Sequence, residues 1–368
     1  MTEKKLSRVL IMAGGTGGHV FPGLALAACL KARGVQVHWL GTPFGLESDL
    51  VPKANINFHP LIIKGIRGKG WRTLLAAPFK VIQATWAAYW EIKKIKPDAV
   101  IGMGGYVSGP GGVASWLLQY PLFIHEQNAK AGMTNKLLAR LSTRVLEAFP
   151  KTFKASHRVV TTGNPVRVEI ENLTPPIDRF QSRYAPFRLL VLGGSLGAQA
   201  LNEQLPKALA LLKPDERPLI IHQTGNKTFI ETKTIYETLN VLSPEIQLHS
   251  FINDMSEVYA WADLVLCRAG ALTIAELCGA GIGAILVPYP YAVDDHQTAN
   301  ALFMVNKNAA LCIQQKELTP QKLADLIKSF SISQDQCLKM AKAAYSLRKV
   351  SVAEKIYAVM AQATNAAH

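Results

Sequence analysis

The chain has 368 residues, of which 49% are hydrophobic and 18% are charged. This composition excludes an intrinsically disordered chain, and the length favours two domains, each with its own core. The 40 lysines and arginines exceed the 26 aspartates and glutamates, and the net charge of +14 indicates an anionic partner such as nucleic acid, a phosphorylated substrate or an acidic lipid surface.

The sequence carries no signal for export or for crossing a membrane. No apolar run reaches the roughly 18 residues of a spanning helix, and the amino-terminal apolar stretch is too short for a secretory signal. The cysteines form no CxxC pair and no zinc-like spacing. We therefore expect reduced thiols in a cytosolic protein.

Short apolar segments alternate with helical segments along the whole chain. Such continuously apolar strands are typical of parallel sheets that are covered on both faces. In chain order, the predicted strands are Val9–Met12, Val35–Leu40, Ala99–Ile101, Leu122–Ile124, Arg144–Leu146, Val159–Thr161, Leu189–Leu192, Leu219–His222, Leu264–Leu266 and Ala284–Val287.

Two of these strands run into similar glycine-rich turns, one in each half of the chain. The first turn is Gly14–Gly18 and the second is Gly193–Gly197. This approximate repeat predicts an α/β protein with two Rossmann-like domains whose parallel sheets face a cleft. Because Pro165 ends regular structure, we place the domains at 1–165 and 166–345. A carboxy-terminal helix within 346–368 can pack back on the amino-terminal domain, although the sequence does not decide which domain it joins.

The Gly14–Gly18 turn is suited to binding an anion. Glycines let a phosphate approach the main chain, and the dipole of the helix that follows favours negative charge. The turn is not a dinucleotide fingerprint, since Val20 stands where GxGxxG needs glycine, and it lacks the GK[ST] of a Walker A loop. A tight turn without a ligand is the alternative. His19, at the end of the turn, is well placed for acid–base chemistry.

Two other segments of the first half follow predicted strands. The loop Gly102–Pro110 places glycines around Tyr106 and Ser108, and His125–Asn128 puts four polar side chains after a strand. Open α/β sheets bind ligands at this edge, so both segments are candidate binding loops. HExxH is absent, and zinc is not predicted.

In the second half, polar residues begin two predicted helices. Thr273 and Glu276 match a capping box, but Glu276 is equally suited to accept hydrogen bonds from a ribose diol. Asp294, Asp295, His296 and Gln297 form a polar site, or Asp294 or Asp295 caps the helix. The residues by themselves leave both pairs of alternatives open.

Six motifs occur in an order that resembles the MurG family of bacterial peptidoglycan N-acetylglucosaminyltransferases. They are GGTGGHVFPG, GGYVSGP, HEQN, GNPVR, GGSLGA, and RAGALTIAEL followed by DDHQTANA. The resemblance covers nearly the whole chain and implies the GT-B fold. It implies inverting transfer of GlcNAc from UDP-GlcNAc to the muramic acid 4-hydroxyl of lipid I, undecaprenyl-diphospho-MurNAc-pentapeptide, which gives lipid II. It also implies a peripheral protein on the cytoplasmic face of the bacterial inner membrane, with cell-wall synthesis proteins as further partners.

The resemblance also implies roles for individual residues. The expected UDP-GlcNAc-binding residues are Thr16, Gly17, Gly18, Asn128, Arg167, Ser195, Ile252, Ala271, Leu272, Thr273, Glu276 and Gln297. The expected acceptor-binding residues are Gly15, Gly104, Gly105, Tyr106 and Ser108. His19 is the first choice for the general base, and Glu126 is its rival. No metal or cofactor is expected, since the sequence has no DxD motif and helix amino termini can stabilise the departing UDP.

A basic and aromatic stretch predicts contact with anionic lipid. The residues predicted to touch the membrane are Arg67, Lys69, Trp71, Leu75, Phe79 and Lys80. Apolar residues from Trp71 to Trp90 recur at steps of three and four, which places them on one helix face, interrupted near Pro78. For Trp86–Trp90, a stripe packed in the protein core is an equal alternative.

Three other functions compete with the transferase. A basic nucleic-acid-binding protein would leave the glycine loops without a purpose, so nucleic acid is not an expected partner. A nicotinamide-dependent oxidoreductase is disfavoured by the missing GxGxxG. A UDP-GlcNAc epimerase does not account for the membrane-type stretch.

Overall fold

The structure is a computed structural model that describes residues 5–63, 77–181, 183, 186–194 and 197–366. The described residues divide into two compact units. Unit 1 comprises the residues up to Val166 together with those from Ser351 onward, and unit 2 runs from Arg167 to Val350. The predicted domain borders, at residues 165 and 345, lie close to these positions.

Unit 1 is built on a seven-stranded parallel sheet with the order β3-β2-β1-β4-β5-β6-β7. Its strands are β1 Arg8–Ala13, β2 Gln36–Gly41, β3 Asn57–Pro60, β4 Ala99–Gly104, β5 Leu122–Glu126, β6 Arg144–Glu147 and β7 Val159–Thr161. Its first five described helices are α1 Gly17–Ala32, α2 Glu47–Lys53, α3 Ala77–Ile95, α4 Ser108–Leu117 and α5 Met133–Leu138.

Unit 2 is built on a six-stranded parallel sheet with the order β10-β9-β8-β11-β12-β13. Its strands are β8 Arg188–Leu192, β9 Leu219–Gln223, β10 Ile246–His249, β11 Leu264–Cys267, β12 Gly283–Leu286 and β13 Ala310–Cys312. Its helices are α6 Val168–Glu171, α7 Pro176–Gln181, α8 Gln199–Ala210, α9 Phe229–Thr238, α10 Met255–Trp261, α11 Ala271–Ala280, α12 His296–Val305, α13 Pro320–Ile332 and α14 Gln334–Ser346. The last helix of the chain, α15 Val352–Asn365, belongs to unit 1.

Strand β1 shows why these sequences form a covered sheet. Its alternate side chains enter two different cores: Val9 and Ile11 pack in one, and Leu10 and Met12 pack in the other. A parallel strand buried on both faces needs apolar residues at every position. The first of these cores also contains α1 and residues of α15, such as Ile356.

The prediction of two parallel α/β sheets is confirmed, and every predicted strand is present; most agree to within one residue at each end, while β4 and β5 extend to Gly104 and Glu126, beyond the predicted ends at Ile101 and Ile124. The structure adds three strands at sheet edges, β3, β10 and β13. Edge strands pair on one side only, and β3 is partly exposed along its length. Such a strand lacks the continuous apolar run by which the others were predicted.

Both sheets reverse their strand order beside the first strand. In unit 1 the reversal lies between β1 and β4, and in unit 2 it lies between β8 and β11. Ligands of open α/β sheets bind at the carboxyl ends of the strands that flank such a switch point. The glycine-rich turn after β1 and the loop after β4 flank the first switch point, and the turn after β8 and the start of α11 flank the second.

Candidate active site

The first glycine turn connects β1 to α1. Thr16 is the extended residue that precedes the helix, and its carbonyl accepts hydrogen bonds from the N–H groups of His19 and Val20 at 3.0 and 3.2 Å. Thr16 and Gly18 are exposed, and Gly17 is half-buried. The first N–H groups of a helix have no partner within it, so this end of α1 can receive an anion.

His19 lies half-buried in the first turn of α1. Its Nδ1 is 3.3 Å from the Gly14 carbonyl oxygen and 3.3 Å from Thr16 Oγ1. A carbonyl oxygen only accepts, so these partners assign the proton of the neutral ring to Nδ1. Nε2 is then the nitrogen that carries the lone pair.

The loop after β4 packs directly on His19 and on the first glycine turn. A Cβ on Gly104 (φ +107°) would lie 2.5 Å from His19 Cδ2, and a Cβ on Gly105 (φ +85°) would collide with the Gly14 carbonyl oxygen. Only glycine fits such positions. The structure thus brings the predicted acceptor residue Gly104 against the predicted base, and Gly105 against the backbone of the turn that carries it.

The two side chains of this loop have different surroundings. Tyr106 is 54% exposed and lies on the surface of this loop. Ser108 is fully buried, and its Oγ lies 2.9 Å from the Gly104 carbonyl oxygen and accepts from the Gly104 N–H at 3.1 Å. Ser108 therefore holds the loop from beneath and has no exposed surface for a ligand.

Glu126, the rival base, is buried and accepts hydrogen bonds on both carboxylate oxygens. Oε1 accepts from the N–H of Asn128 at 3.0 Å and from its Nδ2 at 3.2 Å. Oε2 accepts from the Gly132 N–H at 3.0 Å and from Asn135 Nδ2 at 2.9 Å. This carboxylate organises the loop that carries Asn128.

His125 and Gln127 are buried beneath the same loop. Burial lowers the pKa of His125 to about 4, so its ring is neutral near pH 7. Its Nε2 lies 2.9 Å from the Gly163 carbonyl oxygen, and Gln127 Nε2 donates to the Met103 carbonyl at 2.6 Å. These two residues of the His125–Asn128 segment therefore link the end of β5 to β4 and to the residues that follow β7.

In unit 2, the glycine turn after β8 is tied to the segment that was expected to meet the uracil. The N–H of Gly193 donates to the Gln223 carbonyl at 2.9 Å, and Gln223 Oε1 accepts from the Ile252 N–H at 3.2 Å. The Ile252 N–H is therefore engaged by Gln223 in this structure. Ser195, predicted to hold the diphosphate, lies outside the described residues.

Glu276 is buried in α11, a helix whose amino-terminal cap is Gly270. Thr273 and Glu276 do not form a capping box, and that alternative is wrong because both lie inside the helix. The Glu276 carboxylate instead accepts from Arg167 Nη2 at 3.2 Å and from the Tyr259 hydroxyl at 3.1 Å. Burial raises the pKa of this carboxyl, and Arg167 and Tyr259 oppose that rise.

The start of α11 and the start of α12 supply the remaining predicted donor contacts. Ala271 is buried in the first turn of α11, while Leu272 and Thr273 are half-buried. Gln297 Oε1 accepts from the Tyr289 N–H at 2.9 Å. Asp295, at the cap position of α12, makes no side-chain cap hydrogen bond. Capping by Asp295 is therefore wrong.

Three residues of these sites were not predicted from the sequence. Glu47 is a fully buried carboxylate that accepts from the Gly15 N–H at 3.1 Å, and Tyr259 and Gln223 hold Glu276 and Ile252. The signal for Glu47 was available, since this acidic residue follows β2 at the carboxyl edge of the sheet. In the sequence, Tyr259 looks like an ordinary core residue, and Gln223 looks like a polar residue at the end of a strand.

Helix α3 exposes an apolar stripe, so the alternative of a stripe packed in the core is wrong. Its members, with their exposed fractions, are Phe79 (76%), Ile82 (66%), Trp86 (61%) and Trp90 (44%). The opposite face packs into unit 1 through residues such as Ala88 and Ile92. Of the other predicted lipid contacts, Lys80 is exposed, and Arg67, Lys69, Trp71 and Leu75 lie outside the described residues. Within the part of the chain that the structure describes, no helix combines the length and apolar character needed to span a bilayer.

Two family models match most of the chain. The glycosyltransferase family 28 N-terminal domain matches residues 9–147, and the glycosyltransferase family 28 C-terminal domain matches residues 188–356. The chain belongs to glycosyltransferase family 28. The first match lies within unit 1, and the second begins at β8 of unit 2 and ends inside α15, which belongs to unit 1.

Full-length relatives narrow the family further. The chain is 50% identical over 365 residues to the UDP-N-acetylglucosamine–N-acetylmuramyl-(pentapeptide) pyrophosphoryl-undecaprenol N-acetylglucosamine transferase of Marinobacter nauticus, covering 99% of this chain and 100% of the relative. The enzyme of the same name from Nitrosococcus oceani is 51% identical over 349 residues, covering 95% and 96%. The crystal structure of Acinetobacter baumannii MurG is 42% identical with a TM-score of 0.81, covering 97% and 99%. The resemblance to the MurG family and the GT-B fold class are thereby confirmed.

Proposed function

We propose that the protein transfers GlcNAc from UDP-GlcNAc to the muramic acid 4-hydroxyl of lipid I, with inversion, to give lipid II and UDP. The observation that carries this proposal is sequence similarity along nearly the full chain. About half of the residues are identical to those of transferases whose names state this donor and this acceptor. The glycine turns and helix starts at both switch points supply the anion-binding groups that two diphosphate-containing substrates require.

Unit 2 binds the donor in this proposal. The ribose diol donates to the Glu276 carboxylate, beside Arg167, whose Nη2 donates to the same carboxylate at 3.2 Å. The start of α11, at Ala271–Thr273, offers N–H groups and the positive end of the helix dipole to the diphosphate. Uracil binds at the backbone of Ile252, and Gln297 binds the sugar hydroxyls.

Unit 1 binds the acceptor. The N–H of Gly15 is bound to Glu47, so the acceptor diphosphate is held instead by the first turn of α1 and by the loop Gly104–Tyr106. The acceptor sugar then lies beside His19, since Gly104 packs on that ring.

His19 is the general base of the reaction. Its Nε2 takes the proton of the attacking hydroxyl while the bond between the anomeric carbon and the UDP oxygen breaks on the opposite face of the sugar. Glu126 fits this role less well, because all four of its described hydrogen-bond donors lie in the loop that follows it and in the helix α5 that begins after that loop. Protonating Glu126 would disturb the bonds that shape that loop.

The direct experiment is transfer of labelled GlcNAc from UDP-GlcNAc to a lipid I analogue, with UDP-GalNAc as the control donor. We expect a labelled disaccharide product and UDP only when the acceptor is present. Consumption of UDP-GlcNAc without acceptor would instead favour an epimerase. Salt-dependent binding of duplex DNA without transfer would favour a nucleic-acid-binding protein.

Replacement of the base tests the mechanism. We expect His19→Ala to lower turnover by about a hundredfold or more, with UDP-GlcNAc binding within about twofold of the parent. Turnover within about tenfold of the parent corresponds to less than about 1.4 kcal/mol of barrier and would remove His19 from the role of base.

Contact with anionic lipid is the second part of the proposal. The exposed stripe of α3 is followed by Lys93 and Lys94, and Lys93 Nζ lies 5.0 Å from the Trp90 ring centre. Trp86 packs edge-to-face on Trp90 with ring centres 5.7 Å apart. Aromatic rings beside lysines are typical of surfaces that lie in the headgroup region. Such a surface brings the enzyme to an acceptor that is anchored in the membrane.

A liposome experiment tests this surface. We expect the triple variant Phe79→Ala, Ile82→Ala, Trp86→Ala to bind anionic vesicles at least about tenfold more weakly than the parent, because most of the inserted apolar area is lost. The matched control is Ile230→Ala with Ile332→Ala, which removes equally exposed apolar side chains of 77% and 79% from unit 2. Equal binding by the parent and the triple variant would show that α3 is not the anchor.

A further inference from the structure

One peptide group of the first glycine turn connects His19 to a buried carboxylate. The group joins Gly14 to Gly15. Its carbonyl oxygen is 3.3 Å from His19 Nδ1, and its N–H donates to Glu47 Oε2 at 3.1 Å. The imidazole and the carboxylate therefore face opposite ends of the same planar, polarisable unit.

Glu47 is held in a site shaped for its carboxylate. The side chain is fully buried, and Oε1 accepts from the Thr42 N–H at 2.9 Å and from the Thr42 hydroxyl at 2.6 Å. Two glycines leave room for it: a Cβ on Gly14 would lie 2.5 Å from Oε1, and a Cβ on Gly41 would lie 2.7 Å from Cγ. Each oxygen thus faces a backbone N–H, which can only donate, so both carboxylate oxygens act as acceptors.

We infer that Glu47 is a positioning residue for His19 and acts through the Gly14–Gly15 peptide. This inference rests on the proposed function, in which His19 is the base. The carboxylate fixes the plane of the peptide and increases the negative charge on the Gly14 carbonyl oxygen. That oxygen accepts from Nδ1–H, keeps the Nε2 lone pair directed away from Gly14, and stabilises the imidazolium that forms when Nε2 accepts the proton of the acceptor.

No proton reaches Glu47 in this scheme. The hydroxyl proton moves to His19 Nε2, the Nδ1 proton remains between the ring and the Gly14 carbonyl, and the Gly15 N–H remains bonded to the carboxylate. The proton on Nε2 leaves to solvent after UDP departs. The contribution of Glu47 is orientation and electrostatic stabilisation, and the peptide group transmits both.

The first test is spectroscopic and does not depend on turnover. In the full-length protein, ¹⁵N-labelled histidine, with His19 assigned by its loss in His19→Gln, should show the Nδ1–H tautomer at neutral pH. We expect Glu47→Gln to lower the pKa of His19 by about one unit, since a nearby negative charge is removed. An Nε2–H tautomer in the parent, or an unchanged His19 titration in a folded Glu47→Gln protein, would overturn the inference.

The second test is kinetic, with Glu147→Gln as the matched control. Glu147 is also a buried carboxylate of unit 1 that accepts from two backbone N–H groups and a threonine hydroxyl, those of Lys151, Phe153 and Thr161. We expect Glu47→Gln to lower kcat by about tenfold and to leave the KM for UDP-GlcNAc within about twofold. We also expect the acid limb of the pH–rate profile to move to lower pH. An equal change in Glu147→Gln would reduce Glu47 to a structural role and overturn the inference.

Failure of this inference and failure of the proposed function give different experimental results. If His19→Ala transfers GlcNAc normally, the assignment of the base fails, while the His19 titration still reports whether Glu47 acts on the ring. If Glu47→Gln does not fold, Thr42→Val removes one donor from the carboxylate and leaves its charge. We then expect the pKa of His19 to move in the direction opposite to that in Glu47→Gln, because the carboxylate keeps its charge and loses a competing donor, and no shift would overturn the inference.

Discussion

The two glycine turns begin from similar sequences but are supported by different chemistry. The first turn, Gly14–Gly18, is supported by the buried Glu47 carboxylate. The described part of the second turn, Gly193–Gly197, is supported by neutral groups: Asn202 Nδ2 donates to the Thr224 carbonyl at 2.9 Å, and the Gln223 carbonyl accepts from the Gly193 N–H at 2.9 Å.

The neutral support of the second turn extends into the core of unit 2. His222 Nε2 lies 3.1 Å from Asn202 Oδ1, and His222 Nδ1 lies 3.0 Å from the Tyr236 hydroxyl. The described groups beneath the second turn are neutral and do not repel the donor diphosphate, whereas the Glu47 carboxylate beneath the first turn is screened from the acceptor diphosphate by the Gly15 N–H and the two Thr42 donors. A turn that carries a base gains from a negative charge that stabilises imidazolium. The strand–glycine–helix pattern is therefore shared, and the residues beneath it determine its use.

The largest expected effect is a loss of folding stability in acid, caused by the buried, neutral His222 beneath the second turn. Burial lowers the pKa of His222 to about 3 from an ordinary value of 6.5. The unfolded chain therefore takes up a proton below about pH 6.5 while the folded protein does not, and stability that is complete above that pH is lost as the pH falls. The expected loss is roughly 1.4 kcal/mol per pH unit, or about 3 kcal/mol at pH 4.

Urea unfolding of unit 2, followed from pH 7 to pH 4, measures this loss. The control is His222→Gln, which cannot titrate and should show a shallower dependence of unfolding free energy on pH. Equal slopes for parent and variant would show that His222 is not held neutral.

The next effect concerns the contact between the first turn and the loop after β4. We expect Gly104→Ala to lower turnover by about a hundredfold, because the added Cβ would displace the His19 ring at a backbone angle that disfavours alanine. Gly34→Ala is the control, since Gly34 also has a positive φ, of +76°, but no atom lies within 4 Å of the added Cβ. Similar turnover in the two variants would show that the contact with His19 is unimportant.

The smallest expected effect comes from adding a negative charge beneath the second turn. Asn202→Asp should weaken UDP binding by about tenfold at neutral pH, through repulsion between the buried carboxylate and the diphosphate. Asn202→Ala removes the same amide without adding charge, so calorimetric titration of both variants isolates the electrostatic part. If both bind UDP equally weakly, the hydrogen bonds of Asn202 matter and the neutrality of the support does not.

The central strands and the switch-point loops could be predicted because their signals are local. A strand buried on both faces must be apolar at every position, as in Val9–Met12, and a turn that exposes N–H groups must be rich in glycine. The edge strand β3 could not be predicted in this way, because it is partly exposed and its residues, Asn57–Pro60, form no apolar run.

The helix-cap interpretations failed for a local reason as well. Thr273 and Glu276 have the spacing of a capping box, but the helix begins at Ala271, earlier than that spacing requires. Cap motifs are short patterns, and where a helix starts is also decided by the packing of its whole apolar face.

The sequence by itself determined the fold class, the order of the glycine-rich loops and the identity of His19 as a candidate base, because these depend on residue type and spacing along the chain. Only the tertiary structure decided that Gly104 packs on His19, that Glu47 is bound to the Gly14–Gly15 peptide, and that Arg167 and Tyr259 hold Glu276. These partners are far apart in the chain. Contacts between residues distant in sequence arise from packing the sheet and its helices, and no local pattern encodes them.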